Sequence, residues 1–243
     1  MKKIVIDPRV IKHLGRDLIT SPEVAVIELV KNSIDAKAKH INLRLYNNYS
    51  HYESLPNYVR AAIPKQYLDL PMLIVEDDGR GMTNAALDDG FLKIATDIKT
   101  NEEGTLGEKG IGRLATQRLG TALLVETSSV EESQTSYVFI DWNDVINGVE
   151  EVPNFEGPAT PHHTRLIIFN VNLEDYIDNA MQFEQLSLDN SNVQVQINRE
   201  LKSALNFLIS PFDNSKETLP IPQLRFYFDD YEIDITFPYD TLS

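Results

Sequence analysis

The order of segments in this sequence predicts an α+β sandwich. Helical and strand-like stretches are mixed without regular alternation, and strands are joined both through helices and by hairpins, which disfavours a doubly wound sheet. The strand-like stretches are β-branched and aromatic.

In chain order, a mostly apolar helix is expected from Pro22 to Ala36, entered through Thr20-Ser21, with Pro22 suited to the first turn. A strand follows from Ile41 to Tyr46. Asn47 to Leu70, rich in Tyr, Asn and Pro, reads as a loop or short helical insertion. The apolar strand Met72–Glu76 runs into Asp77-Asp78-Gly79-Arg80-Gly81, and Thr83 is placed to cap a helix reaching Ile94. A polar, glycine-containing stretch from Thr96 to Gly112 leads into a helix ending at Leu119. Strands are expected at Leu123–Thr127, Tyr137–Trp142 and Arg165–Val171, with a proline-containing loop from Gly148 to Pro161. A helix over Val193–Leu208 and a hairpin of Leu224–Phe228 with Glu232–Phe237 complete the chain. There is no internal repeat or low-complexity tract.

Composition narrows the class. The 243 residues are 42% hydrophobic and 24% charged, ordinary values for a soluble globular protein able to bury a sizeable core. No apolar run approaches the roughly 20 residues of a membrane span, and the start MKKIVIDPRV lacks the apolar region and cleavage site of a signal peptide. The absence of cysteine excludes disulfides and thiolate metal sites, and is compatible with a cytoplasmic location. A formal charge of −15 argues against nucleic-acid binding by the surface as a whole. Any bound polyphosphate therefore needs a local device of backbone N–H groups, a metal and a few placed cations.

Three segments supply the parts. On the first helix, Glu28, Asn32 and Asp35 stand at i, i+4 and i+7 and share one face, whereas Ile27, Val30 and Ile34 lie about 100° or more around it. By itself this spacing also describes a solvated polar stripe. Asp77-Asp78-Gly79-Arg80-Gly81-Met82 places a carboxylate at a strand end, able to accept from an exocyclic amine, before two glycines that allow close backbone approach; a plain Asp-Gly turn has the same composition. Gly104-Thr105-Leu106-Gly107-Glu108-Lys109-Gly110-Ile111-Gly112-Arg113 can turn several N–H groups toward an anion at a helix start, although a loop would look similar alone. No G-x-x-x-x-G-K-[ST] P-loop is present, and the G-x-x-G-x-G spacing is not the dinucleotide fingerprint.

Together and in this order, the segments resemble the signature of the GHKL superfamily (gyrase B, heat-shock chaperone, histidine kinase, MutL). Glu28 to Ala36 is similar to its N-box E-x-x-x-N-x-x-D-A, Asp77 to Met82 to its first glycine box, and Gly107 to Gly112 to its second; Thr164 followed by Arg165-Leu166-Ile167-Ile168 is similar to the later Thr-plus-strand element. The resemblance covers Ile11 to Val171. It implies a Bergerat two-layer sandwich: a mixed, mostly antiparallel sheet, helices on one face and a flexible ATP lid over Thr96–Gly112.

The resemblance also implies roles. Glu28 would orient and deprotonate the attacking water, Asn32 would hold Mg²⁺, and Asp35 would belong to the nucleotide-binding set. Asp77 would bind the adenine amine with help from Thr164, Gly79 and Gly81 would shape the pocket, and Met82 would pack on the base. Gly107, Lys109, Gly110, Ile111 and Gly112 would wrap the phosphates, with Lys99 as a further contact. ATP and Mg²⁺ are thus the expected cofactors, and one protein amide suffices for a metal whose other ligands are phosphate oxygens and water.

The expected domains are an ATP-binding unit over 1–175 and an extension over 176–243 that begins the next region of a longer protein. The N-box helix starts too early for an upstream phosphoacceptor helix, and the stretch after Val171 is too short for a full transducer domain. The second glycine box is most similar to bacterial stand-alone ATPases near the chaperone and MORC groups, some of which act in stress or phage defence. Two functions follow: an ATPase switch whose closure drives homodimerisation and an attached effector, or a non-hydrolysing sensor. Phosphotransfer to a partner is a weaker third. The His162-His163 pair and the tyrosines from Tyr46 to Tyr67 are read as surface and as insertion packing.

Overall fold

The computed structural model describes residues 1–6, 19, 21–47, 55–94, 114–178, 196–209 and 222–235. The strands and helices are β1 (Lys2–Lys3), β2 (Val5–Ile6), α1 (Pro22–Asp35), β3 (His40–Tyr46), α2 (Asn57–Ala62), β4 (Met72–Asp77), β5 (Lys93–Ile94), α3 (Leu114–Leu119), β6 (Ala122–Ser128), β7 (Gln134–Asp141), α4 (Trp142–Ile146), β8 (Glu151–Val152), β9 (Asn154–Pro158), β10 (His163–Phe169), β11 (Ile177–Asp178), β12 (Gln196–Ile197), α5 (Arg199–Ile209), β13 (Gln223–Phe228) and β14 (Tyr231–Ile233).

Among the described residues, eight strands form one sheet in the order β14-β13-β3-β4-β10-β6-β7-β9. Only β13–β3 is parallel; the other pairs in this sheet are antiparallel. Mixed, mostly antiparallel pairing with packed helices is the expected α+β class.

Strand alternation divides the core in two. Ile41, Leu43 and Leu45 of β3, Leu73 and Val75 of β4, and Leu166 and Ile168 of β10 bury against Ala25, Val26, Leu29 and Val30 of α1. Their alternating neighbours Tyr46, Met72, Ile167 and Phe169 form a second cluster with Leu55, Val59, Ile63 and Tyr67. The insertion before β4 therefore adds a partial cover of α2 and a 3₁₀ turn (Lys65–Tyr67) to the other face of the sheet.

α1 begins where its caps dictate: the Ser21 hydroxyl accepts from the Val24 N–H at 3.4 Å, and Pro22 opens the helix. Elsewhere local sequence misleads. The proline-containing stretch 148–161 holds β8 and β9, with Pro158 tolerated because β9 is the sheet edge. The helix expected after Thr83 is present and capped, the Ala86 N–H donating to Thr83 Oγ1 at 3.1 Å, but it is wound as a π-helix over Ala86–Phe91 and gives way to β5, which pairs in parallel with β2, before Ile94 is reached as helix. Trp142 leaves the strand to start α4, because the Asp141 carboxylate accepts from the Asn143 N–H and caps the turn.

β13 pairs along the whole of β3, from Gln223↔His40 to Phe228↔Leu45. Leu201 and Leu205 of α5 and Leu224, Phe226 and Phe228 of β13 join the cluster that covers α1. Phe226→Ala should therefore destabilise the whole unit by about 3–5 kcal/mol, as deletion of a fully buried aromatic does. Urea unfolding followed by tryptophan fluorescence checks this; an unchanged midpoint would mean that the hairpin is dispensable to the fold.

Candidate functional site

On α1, Ala25, Val26, Leu29, Val30 and Ser33 face inward; Glu28 is half-buried, and Asn32 and Asp35 are exposed. The polar stripe is thus left open beside the helix's packed face. The Lys31 ammonium donates to Glu28 Oε1 at 2.8 Å. Ser33, about 100° around the helix from Asn32, points into the molecule, and its hydroxyl donates to Asp77 Oδ2 at 2.8 Å.

Asp77 ends β4 with the same parity as Leu73 and Val75, so its carboxylate occupies a core-facing position and is only 6% exposed. The Gly79 N–H donates to Oδ1 at 2.9 Å. Burial pushes the Asp77 carboxyl above its ordinary range, against the hydrogen bonds from Ser33 and Gly79 that favour the anion. A carboxylate can accept about four hydrogen bonds; the two from Ser33 and Gly79 leave capacity for a ligand's donor. Asp78 faces the other way. Partial burial opposes its ionisation, but His40 and the backbone N–H groups of Lys39 and His40 outweigh burial and hold it below the usual range, locking the start of β3 to the end of β4.

The two glycines permit contacts that a side chain would block. A Cβ on Gly79 would lie 2.8 Å from the Cβ of Ala36 and from Asp77 Oδ1. A Cβ on Gly81, whose φ is +68°, would lie 2.0 Å from the Ser128 carbonyl oxygen. Between them, the Arg80 N–H donates to the Ala36 carbonyl at 2.9 Å. The segment is thus clamped between the end of α1 and the ends of β6 and β10. Met82, partly buried against the core, donates its N–H to Thr127 Oγ1 at 2.8 Å. Thr164 pairs with Asp77 on one side and with Thr127 on the other, the two threonine oxygens lying 3.3 Å apart. Asp77, Gly79, Gly81, Met82 and Thr164 are therefore brought together, bridged by Ser33 to the helix that carries Glu28 and Asn32.

A family model described as "Histidine kinase-, DNA gyrase B-, and HSP90-like ATPase" matches residues 19–165, more than half of the chain. The chain belongs to this ATPase family. No curated protein matches it in sequence. Among solved structures, the N-terminal domain of a DNA repair protein is similar over 90% of this chain and 52% of that one, with a TM-score of 0.50 and 17% identity, a likeness of fold. The Aquifex aeolicus MutL ATPase domain complexed with ADP aligns over 89% of this chain and 63% of its own, with a TM-score of 0.46 and 13% identity. The chain thus spans about half the length of the first of these structures.

The matched span runs from the residue two before the α1 cap to the residue after Thr164, so the ATPase family model takes in every part of this arrangement. Lys99, Gly107, Lys109, Gly110, Ile111 and Gly112 lie outside the described residues. No helix among the described residues is long and apolar enough to cross a membrane.

Three features escaped the motif reading. Ser33 is an unspecified position of the N-box, yet a serine among buried aliphatic positions signals a buried partner. Thr127 sits at the end of an apolar strand, and only the fold brings it to Met82. His163, read as surface, is half-buried: Nε2 lies 3.1 Å from Glu126 Oε1 and Nδ1 lies 2.7 Å from the Pro161 carbonyl oxygen.

The raised Asp77 carboxyl has a consequence for stability. An acid that holds its proton more tightly folded than unfolded loses folding free energy as pH rises from its ordinary value of 3.8 through the raised one. Asp77→Asn without nucleotide should therefore melt at or above the wild-type temperature at neutral pH; a clear drop would mean that the carboxylate serves structure.

Proposed function

We propose that this domain binds ATP with Mg²⁺ and hydrolyses it, using the bound and cleaved states as a conformational switch. The observation that carries the reading is the buried Asp77 carboxylate at a strand end, half-saturated by Ser33 and Gly79, in a site where glycines replace side chains. An exocyclic amine is the donor that such an acceptor suits, and Thr164 and Thr127 supply hydroxyls on the same face.

Membership of the ATPase family makes adenine the base that Asp77 would recognise, with Gly79 and Gly81 opening the pocket and Met82 against the ring. Asn32 presents an exposed amide oxygen, a hard ligand suited to Mg²⁺, one turn from Glu28. Among the described residues no group of three or more His, Cys, Asp or Glu could hold a metal, and a phosphate-bound Mg²⁺ needs none. When bound, the ion would neutralise phosphate charge. Glu28, half-buried beside Asn32, would orient and deprotonate the attacking water, and Asp35 would close the polar stripe. Gly107, Lys109, Gly110, Ile111 and Gly112, with Lys99, would cover the phosphates as a lid. Closure would drive homodimerisation and an attached or partner effector in the cytoplasm, in the manner of stress or phage-defence ATPases. Residues 176–243 would lead into the rest of a longer protein, which could supply a phosphate-sensing lysine.

One observation favours the alternative of a non-hydrolysing sensor: Glu28 Oε1 is engaged by the Lys31 ammonium at 2.8 Å, which occupies the oxygen that an attacking water would need. Both readings are separated by calorimetric titration of ATP with and without Mg²⁺, followed by phosphate release. Glu28→Ala should retain affinity and lose turnover by about 10²–10⁴-fold, the usual contribution of a general base. Asp77→Asn should lose binding. Wild-type turnover in Glu28→Ala would remove Glu28 as the base, and tight wild-type binding with no phosphate release would establish the sensor.

A further inference from the structure

The face of the sheet opposite α1 carries a buried ionic cluster directly behind the adenine end of the proposed site. Glu126 of β6 is only 6% exposed. Its Oε1 lies 3.1 Å from His163 Nε2, and its Oε2 accepts from Arg165 Nε at 2.9 Å and from Arg165 Nη2. Burial alone would raise the Glu126 carboxyl, but the His163 hydrogen bond and the Arg165 charge overcome it and hold the group below its ordinary range. Both ring nitrogens of His163 face acceptors, Glu126 and the Pro161 carbonyl, and only the protonated ring donates from both. Desolvation works against that proton, yet these two acceptors raise the His163 pKa above its usual value.

Strand alternation makes this cluster the reverse side of the nucleotide face. On β6, Glu126 precedes Thr127; on β10, His163 and Arg165 flank Thr164. The register pairs Thr164 with Thr127 and Arg165 with Glu126. The Thr127 hydroxyl in turn donates to the His163 carbonyl at 3.0 Å while accepting the Met82 N–H. A Cβ on Gly81 would meet Ser128 and His163 backbone oxygens, so the glycine segment rests directly on the strand ends that the cluster ties together.

We infer that Glu126 is a positioning residue for the nucleotide site, acting through His163 and Arg165 to fix the ends of β6 and β10 on which Met82, Thr127 and Thr164 are placed. The inference rests on the ATP reading above. It explains why a carboxylate is buried on the side of the sheet that meets no substrate. It also gives nucleotide affinity a pH dependence. The groups facing His163 are Glu126 from β6, Arg165 from its own strand, and the Thr160 hydroxyl and Pro161 carbonyl from the preceding turn. Asp77 of β4 feels its charge through the sheet, and Tyr137 of β7 faces Glu126. As pH rises through the raised His163 value, the imidazolium charge is lost, and the neutral ring can donate to Glu126 or to the Pro161 carbonyl but not to both.

The test is calorimetric titration of ATP into the wild-type chain, Glu126→Gln, His163→Gln and Arg165→Lys between about pH 5 and about pH 8, where histidine titrates. Phosphate release at saturating ATP and melting curves are recorded in parallel. Glu126→Gln should weaken ATP binding by roughly tenfold, the effect of one lost charge-assisted hydrogen bond, with turnover at saturation unchanged. Arg165→Lys, which keeps the charge, should retain most of the affinity. Wild-type affinity should fall as pH rises, and His163→Gln should abolish that slope. If Glu126→Gln fails to fold, His163→Gln carries the decision, and an unchanged slope in it overturns the inference. Wild-type ATP binding with an indifferent, folded Glu126→Gln overturns this inference alone. Absence of binding by the wild type overturns the nucleotide reading and this inference with it.

Discussion

The end of β4 points a carboxylate into a core, and the neighbouring structure is arranged around that burial. Removing a carboxylate from water costs several kcal/mol even after the protein relaxes, and each hydrogen bond to a charged group returns about 1.5–3 kcal/mol. Asp77 receives two such bonds, from Ser33 of α1 and from the backbone of Gly79. Burial outweighs these two donors, which is why its carboxyl is held above the ordinary range. A group in that condition is poised for another donor. The helix that carries Glu28 and Asn32 is tied to it through Ser33, so the two halves of the proposed site share one hydrogen bond.

The glycine segment follows from the same constraint. To bring its N–H groups to Asp77 and Thr127, the chain must pass closer to Ala36 and Ser128 than any side chain allows. Ala36 is itself small at the point of contact. The sheet behind is stiffened on its other face by aromatic packing of the insertion and by the Glu126–His163–Arg165 cluster. The insertion, Glu126 and His163 stand outside the motifs, yet all lie behind the strands that present Thr127 and Thr164.

Much of this was legible in the sequence because the signals are local. Ser21-Pro22 marks a helix start, and the apolar run before Glu76-Asp77 marks a strand that ends in carboxylates. Motif spacing carried the family. What was not legible depends on partners far along the chain. Ser33 acquires meaning only when β4 is beside α1, and His163 only when Glu126 is opposite it. β9 is a strand despite Pro158 because the sheet edge tolerates a missing donor. The hairpin at the end of the chain was read as a hairpin, but nothing local indicates that β13 pairs in parallel with β3, a strand that lies far upstream of it.

The central claim is that Asp77 recognises the exocyclic amine of adenine. It is tested most directly by comparing, in one calorimetric series with Mg²⁺, ATP and inosine triphosphate, in which a 6-oxo group with a proton on N1 replaces the 6-amino group. The account predicts that inosine triphosphate binds at least about tenfold more weakly, because the carboxylate then faces a carbonyl oxygen in place of a donor. Equal affinities would contradict it, placing the base elsewhere and leaving the burial of Asp77 to be explained by structure alone.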